Sequence, residues 1–138
     1  MAYTITTRSI KESDYDDYLS EWWKDWEWDP IPRDFLPNNG TGGIIVEVDN
    51  VPVCAGFLYT TNSMVSWVDW IISTKSPMKK GARELAISML LSKLTDAAKR
   101  NGSKYIYALL KHNKLIKKYE ALGYIKGDAY NHEMIKVL

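Results

Sequence analysis

The chain has 138 residues, a 46% hydrophobic share, one cysteine and a formal charge of +1. That length fits one domain, over 1–138, with a core of its own, and a lone Cys54 excludes an internal disulfide or a multi-cysteine metal site. No apolar run nears the roughly 20 residues of a membrane helix, and Met1–Ile10 lacks the basic and then apolar pattern of a signal peptide, so a cytoplasmic protein without a membrane partner is expected.

The charge is unevenly spread. Residues 1–74 hold 4 Lys/Arg against 12 Asp/Glu, and residues 75–138 hold 14 against 5. Such a division suits two solvated faces of opposite sign, or an acidic half for a cation and a basic half for an anion. The lysines are spread over several elements, which argues against a nucleic-acid partner.

In chain order, Tyr3–Ser9 alternates as a first strand. Lys11–Trp26 follows as a helix with acids in its first turn, Tyr15, Tyr18, Leu19 and Trp22 recurring at helical spacing. Asp29-Pro30-Ile31-Pro32 ends it. Ile44–Val48 and Val51–Thr60 around Asp49-Asn50 read as a β-hairpin, and Met64–Ser73 as a further strand. The loop Ser76–Gly81 leads into the longest helix, Arg83–Arg100, which stops at Asn101-Gly102. Tyr105–Leu110 is then a strand, completing a strand–helix–strand crossover. Asn113–Leu122 is a short helix closed by Gly123, and Tyr124–Lys126 and Glu133–Val137 read as a closing hairpin.

The stretch after the crossover carries a family pattern: a strand, Asn113, and a short helix ending Tyr119-Glu120-Ala121-Leu122-Gly123-Tyr124. With the element order, this resembles the GNAT acetyltransferase superfamily over nearly the whole chain. The resemblance implies an α/β fold with a mixed, mostly antiparallel central sheet, helices on both faces and a βαβ crossover. It implies acetyl-CoA as cosubstrate, no metal, and transfer of an acetyl group to a primary amine of a small molecule or protein. A homodimer is compatible with it.

In that family a loop holds the CoA pyrophosphate on backbone N–H groups at a helix N-terminus, where free donors and the helix dipole favour an anion. Lys79, Lys80, Gly81, Ala82 and Arg83 occupy this place. The usual loop reads Gln/Arg-x-x-Gly-x-Gly/Ala. With Gly81 as its first glycine, Met78 takes the leading position and Arg83 stands where a small residue belongs, so the three cations are expected to pair with phosphates themselves.

The resemblance also implies roles along the chain. Tyr119 matches the family's general acid toward the CoA sulfur. His112 has the spacing of the Asn that contacts the pantetheine arm, and Asn113 is one residue short of it; Asn113 equally suits a helix cap. The end of the strand Met64–Ser73 would line the cofactor through Ile71, Ile72 and Ser73, with the N–H of Ile71 or Ile72 polarising the thioester carbonyl. Asp69 or Glu47 would serve as base, directly or through water; in its apolar strand Asp69 would have a raised pKa. His132 reads as structural.

The segment Glu21-Trp22-Trp23-Lys24-Asp25-Trp26-Glu27-Trp28 interleaves indoles and acids. Trp26, Glu27 and Trp28 are candidates to bind a cationic acceptor by cation–π contact and ion pairing. The same tryptophans suit core packing or a dimer contact. Two alternatives to catalysis therefore stand: an acyl-CoA-binding module without turnover, and a protein-interaction module using residues 21–30.

Overall fold

Apolar runs build a five-stranded sheet in the order β1-β2-β3-β4-β5 in the computed structural model, which describes residues 2–129 and 132–138. The strands β1 (Ile5–Ser9), β2 (Gly43–Val48), β3 (Val51–Thr60) and β4 (Val65–Ser73) pair antiparallel in sequence. Asp49 and Asn50, at φ 49° and 66°, make the β2–β3 turn. Asx residues tolerate this left-handed backbone, which matches the twist of a tight hairpin. β5 (Tyr105–Tyr107) runs parallel to β4 after the crossover helix α2 (Ala82–Arg100). A mixed, mostly antiparallel sheet is what the sequence leads one to expect.

Each sheet face covers its own core. Val46, Cys54 and Val68 point to the face packed by Ala86, Leu90 and Leu94 of α2 and by Tyr119 of α3 (Asn113–Ala121). Ile45, Ala55, Phe57 and Ile72 point to the other, where Leu19, Trp22 and Trp23 pack. The first helix is shorter than its periodicity suggests: a π-turn over Tyr15–Leu19 leads into α1 (Ser20–Asp25). Residues 11–14 form a turn instead, because the buried Asp14 carboxylate accepts the Lys11 N–H at 2.6 Å and both terminal nitrogens of Arg8 at 2.7 and 3.0 Å. Local side-chain acceptors of this kind compete with helix formation.

The C-terminal expectations need correction. The strand foreseen over Tyr105–Leu110 stops at Tyr107, and neither Tyr124–Lys126 nor Glu133–Val137 forms a strand. Two local causes are visible. Gly123, at φ 94°, turns the chain back so that Tyr124 N–H donates to Tyr119 O at 3.2 Å. The Tyr124 hydroxyl also bonds Thr95 at 2.8 Å, committing the residue to packing against α2. Beyond it Ile125 and Val137 are over 90% exposed (92% and 91%), so a hairpin there would have no covered face. Among the described residues no helix is long and apolar enough to cross a membrane.

Candidate active site

β4 and β5 are paired only from Val65–Tyr105 to Trp67–Tyr107. β4 then continues to Ser73 with no β5 residue beside it. A parallel pair that ends early leaves a row of backbone groups unclaimed along one strand. Thr74 N–H donates to Val53 O at 2.8 Å, and Ile72 stands opposite Ala55. By the alternation of an antiparallel strand, Ile72 N–H then faces β3, whereas the N–H groups of Ile71 and Ser73 face the open side.

A bulge interrupts this strand at the same place. Ala55 pairs with Ile72 and Phe57 with Asp69, so Trp70 and Ile71 together oppose the single residue Gly56. Trp70 takes φ 58°, rare for a bulky side chain. It is held there on both sides: Asp69 Oδ1 accepts its backbone N–H at 2.7 Å, and its indole donates to Tyr59 Oη at 2.7 Å, whose hydroxyl in turn donates to Phe35 O at 2.9 Å. Strained backbone held by its surroundings concentrates at functional sites.

Asp69 is thereby fixed on the opened stretch, with Trp67 Nε1 a further 3.4 Å from its Oδ2. Burial raises its pKa, the Trp70 and Trp67 donors lower it in part, and the charge of Glu133 raises it again. Tyr119 of α3 is 2% exposed, and its Oη has no hydrogen-bond partner among the described residues. Burial, followed by the influence of Tyr124 and Asp69, raises its pKa well above that of an ordinary phenol. Both groups are thus shifted toward their protonated forms. Trp67, which approaches Asp69, meets Tyr107 at 4.5 Å between centroids with the rings tilted by 46°. Sequence reasoning did not single out Trp67, Tyr107 or Glu133 as neighbours of Asp69, although the indole two residues before it, on the same strand face, was a usable signal.

At the far end of β4, Gly81 takes φ 78° as the residue before α2, and no side chain caps the helix. Ala82 N–H is nevertheless taken by Lys79 O at 3.0 Å, so the open first-turn donors among the described residues are those of Arg83 and Glu84. Arg83 folds back onto the loop and donates to Thr74 O at 2.9 Å and Ser76 O at 2.7 Å, leaving its buried Nε unpartnered. Lys79 bonds Ala2 O and lies 3.6 Å from Asp49. Lys80 is exposed, and Ala82 is buried under the sheet. Of the three cations expected to meet phosphates, Arg83 and Lys79 are thus engaged by protein oxygens.

His112 occupies the residue before α3 in extended conformation and Asn113 is the first helical residue, so Asn113 is not the cap. Both are exposed between β5 and Tyr119. Glu47 is bound to Arg8 at 3.2 Å. Of the tryptophan-rich segment, Trp22 and Trp23 are core residues, while Trp26, Glu27 and Trp28 are exposed. Trp26 donates to Ser73 O at 2.8 Å, which brings it to the end of the open β4 edge, and Lys75 Nζ lies 4.5 Å over its ring.

No family model matches the sequence, and no curated protein matches it. Solved structures do match. An acetyltransferase from Trypanosoma brucei is 16% identical, with a TM-score of 0.59, over 98% of this chain and 100% of that one. Glucosamine-6-phosphate N-acetyltransferase from Arabidopsis thaliana is 12% identical, with a TM-score of 0.67, over 96% and 99%. N-acetylglutamate synthase from Neisseria gonorrhoeae, solved with coenzyme A and L-arginine, is 16% identical with a TM-score of 0.70; the match covers 90% of this chain and 28% of that one. Together with the sheet order, the βαβ crossover and the parting of β4 from β5, these likenesses show that the chain has the GNAT acetyltransferase fold.

Proposed function

We propose that this protein transfers an acetyl group from acetyl-CoA directly to the primary amine of a cationic small molecule or protein side chain. The observation that carries the reading is the buried, unpartnered hydroxyl of Tyr119 on the helix that follows β5, within electrostatic reach of Asp69 on the opened β4 edge. A buried hydroxyl without a partner costs roughly 1–3 kcal/mol, a cost that a ligand atom at that position would relieve.

Acetyl-CoA supplies an activated acetyl group as a thioester. The uncapped start of α2, with Lys80 beside it, would hold the phosphates. Ile71 N–H would donate to the carbonyl oxygen, where negative charge grows during attack. Asp69, its pKa raised, would take the proton that the ammonium must lose. Tyr119 would give its proton to the departing sulfur, for which a phenol held in its neutral form is suited. The aromatic pair Trp67–Tyr107, together with Asp69 and Glu133, would attract the acceptor's positive charge. Trp28 and Glu27 would contact more distant parts of it, the ring of Trp26 being covered by Lys75.

Thermal unfolding at rising acetyl-CoA, followed by a thiol-release assay over a panel of amines, tests this. A ligand of the folded state alone stabilises by about 2.7 kcal/mol at a hundred times Kd. A rising midpoint with turnover of at least one cationic amine is expected. A flat midpoint at millimolar acetyl-CoA would overturn the reading.

A second reading, acyl-CoA binding without turnover, is favoured by one feature: Arg83 and Lys79 are engaged by protein oxygens and are not free for phosphates. A rising midpoint without turnover on any amine in the panel would support it.

A further inference from the structure

Six polar side chains converge on one groove at the end of α2 remote from Gly81. Lys93, Arg100 and Asn101 come from the helix, Ser9 from the end of β1, Asn38 from the turn before β2 and Thr60 from the end of β3. Positions 93, 100 and 101 stand seven and eight residues apart, so one helix face presents all three. Two abutting hollows of about 280 and 350 Å3 make up the groove and share Ser9, Ile44 and Arg100 as walls. Beneath the rim lie Ile44, Leu58, Leu94 and Ala97, an apolar floor.

Among the described residues, none of the six polar side chains makes a hydrogen bond or ion pair with another protein group. Arg8, on the same wall, differs: its guanidinium is bound by Asp14 and Glu47. The nearby carboxylates are thus matched by Arg8, while Asp96, four residues before Arg100, forms no ion pair with it. The C-terminus of α2 contributes about half a negative charge, which two full positive charges outweigh. The groove is a positive rim around an apolar floor. Its mouth lies toward the end of α2 opposite Gly81, the two helix ends being about 28 Å apart, while its floor residue Leu94 also packs beside Gly56 with Ile71.

We propose that this groove is a second binding site, for a small organic anion that carries a short apolar group, of the aryl phosphate or aryl carboxylate type. The anion meets Lys93 and Arg100, the rim amides and hydroxyls take its remaining oxygens, and the ring covers Leu58 and Leu94. The site does not depend on the acetyl-transfer reading.

Titration of phenyl phosphate into the 15N-labelled full chain tests the inference, with inorganic phosphate and phenol as separate probes. Saturable shifts of the Gly42, Gly43 and Asn101 amides are expected with phenyl phosphate, weaker ones with phosphate, and none with phenol. Lys93→Glu with Arg100→Glu should weaken binding by about tenfold or more. Both side chains are exposed, and Lys93→Gln with Arg100→Gln gives the same comparison without charge reversal. Shifts at residues 73–83 in place of these, equal affinity for inorganic phosphate, or unchanged affinity in both double variants would each overturn the proposal.

Discussion

Ile71 Cδ1 fills the space beside Gly56 so closely that a Cβ on Gly56 would lie 2.5 Å from it, and 2.9 Å from Leu94 Cδ1. Gly56 is the residue opposite the β4 bulge, so its missing side chain is what lets Trp70 and Ile71 share one place in the ladder. Gly56→Ala is expected to cost about 1–3 kcal/mol, as overpacking does. Because the bulge carries Ile71 and Trp70 next to Asp69, turnover by the proposed mechanism should fall further than stability alone explains. Urea unfolding with kinetics on the folded fraction checks both, and an unchanged unfolding midpoint would contradict the packing argument.

Tyr119→Phe separates stability from function. The hydroxyl it removes is buried and unpartnered. Removing it should leave the protein as stable or stabilise it by about 1 kcal/mol. If Tyr119 protonates the leaving sulfur, turnover should fall by roughly a hundredfold while acetyl-CoA affinity holds. A thermal scan and single-turnover kinetics read the two effects, and normal turnover would remove Tyr119 from the chemistry.

Asp69 makes a pH prediction. Its folded pKa is raised, chiefly by burial, so the carboxylate is protonated at a pH where an ordinary Asp is still charged. Activity should therefore rise through an acid limb lying above the usual value of about 3.9, and Asp69→Asn should abolish that limb along with most turnover. A pH profile that keeps its acid limb in the variant would assign it to another group.

Acid stability should follow Asp14. Its side chain is 3% exposed and bound by Arg8. Burial works against its charge, but the Arg8 bonds and the Lys11 N–H together hold its pKa below the ordinary value. A depressed carboxylate pKa contributes stability above the unfolded value of about 3.9 that is lost as pH falls through the folded one. Arg8→Ala leaves that buried charge unmatched and should cost about 3–5 kcal/mol at neutral pH. Arg8→Ala with Asp14→Asn should recover much of the loss, measured by urea midpoints at pH 7 and pH 4.

What was legible from sequence alone followed from local periodicity. Alternation marked β1, the turn at Asp49-Asn50 between two apolar runs marked the β2–β3 hairpin, and the order strand, long helix, strand from Met64 to Leu110 marked a crossover and so a parallel pair. The closing pattern Tyr119–Tyr124 marked the family fold. Long-range packing decided the rest. Nothing local predicts that a Trp will adopt φ 58°, because that strain at Trp70 is held by Tyr59, Phe35 and the space beside Gly56, all distant in sequence. Adjacent indoles in one segment were split between core and surface by which sheet face they met, and Lys75 came over Trp26 only once β4 had delivered it there. The terminal strands show the converse. A strand needs an edge and a covered face, and β5, three residues long, offers too little of either.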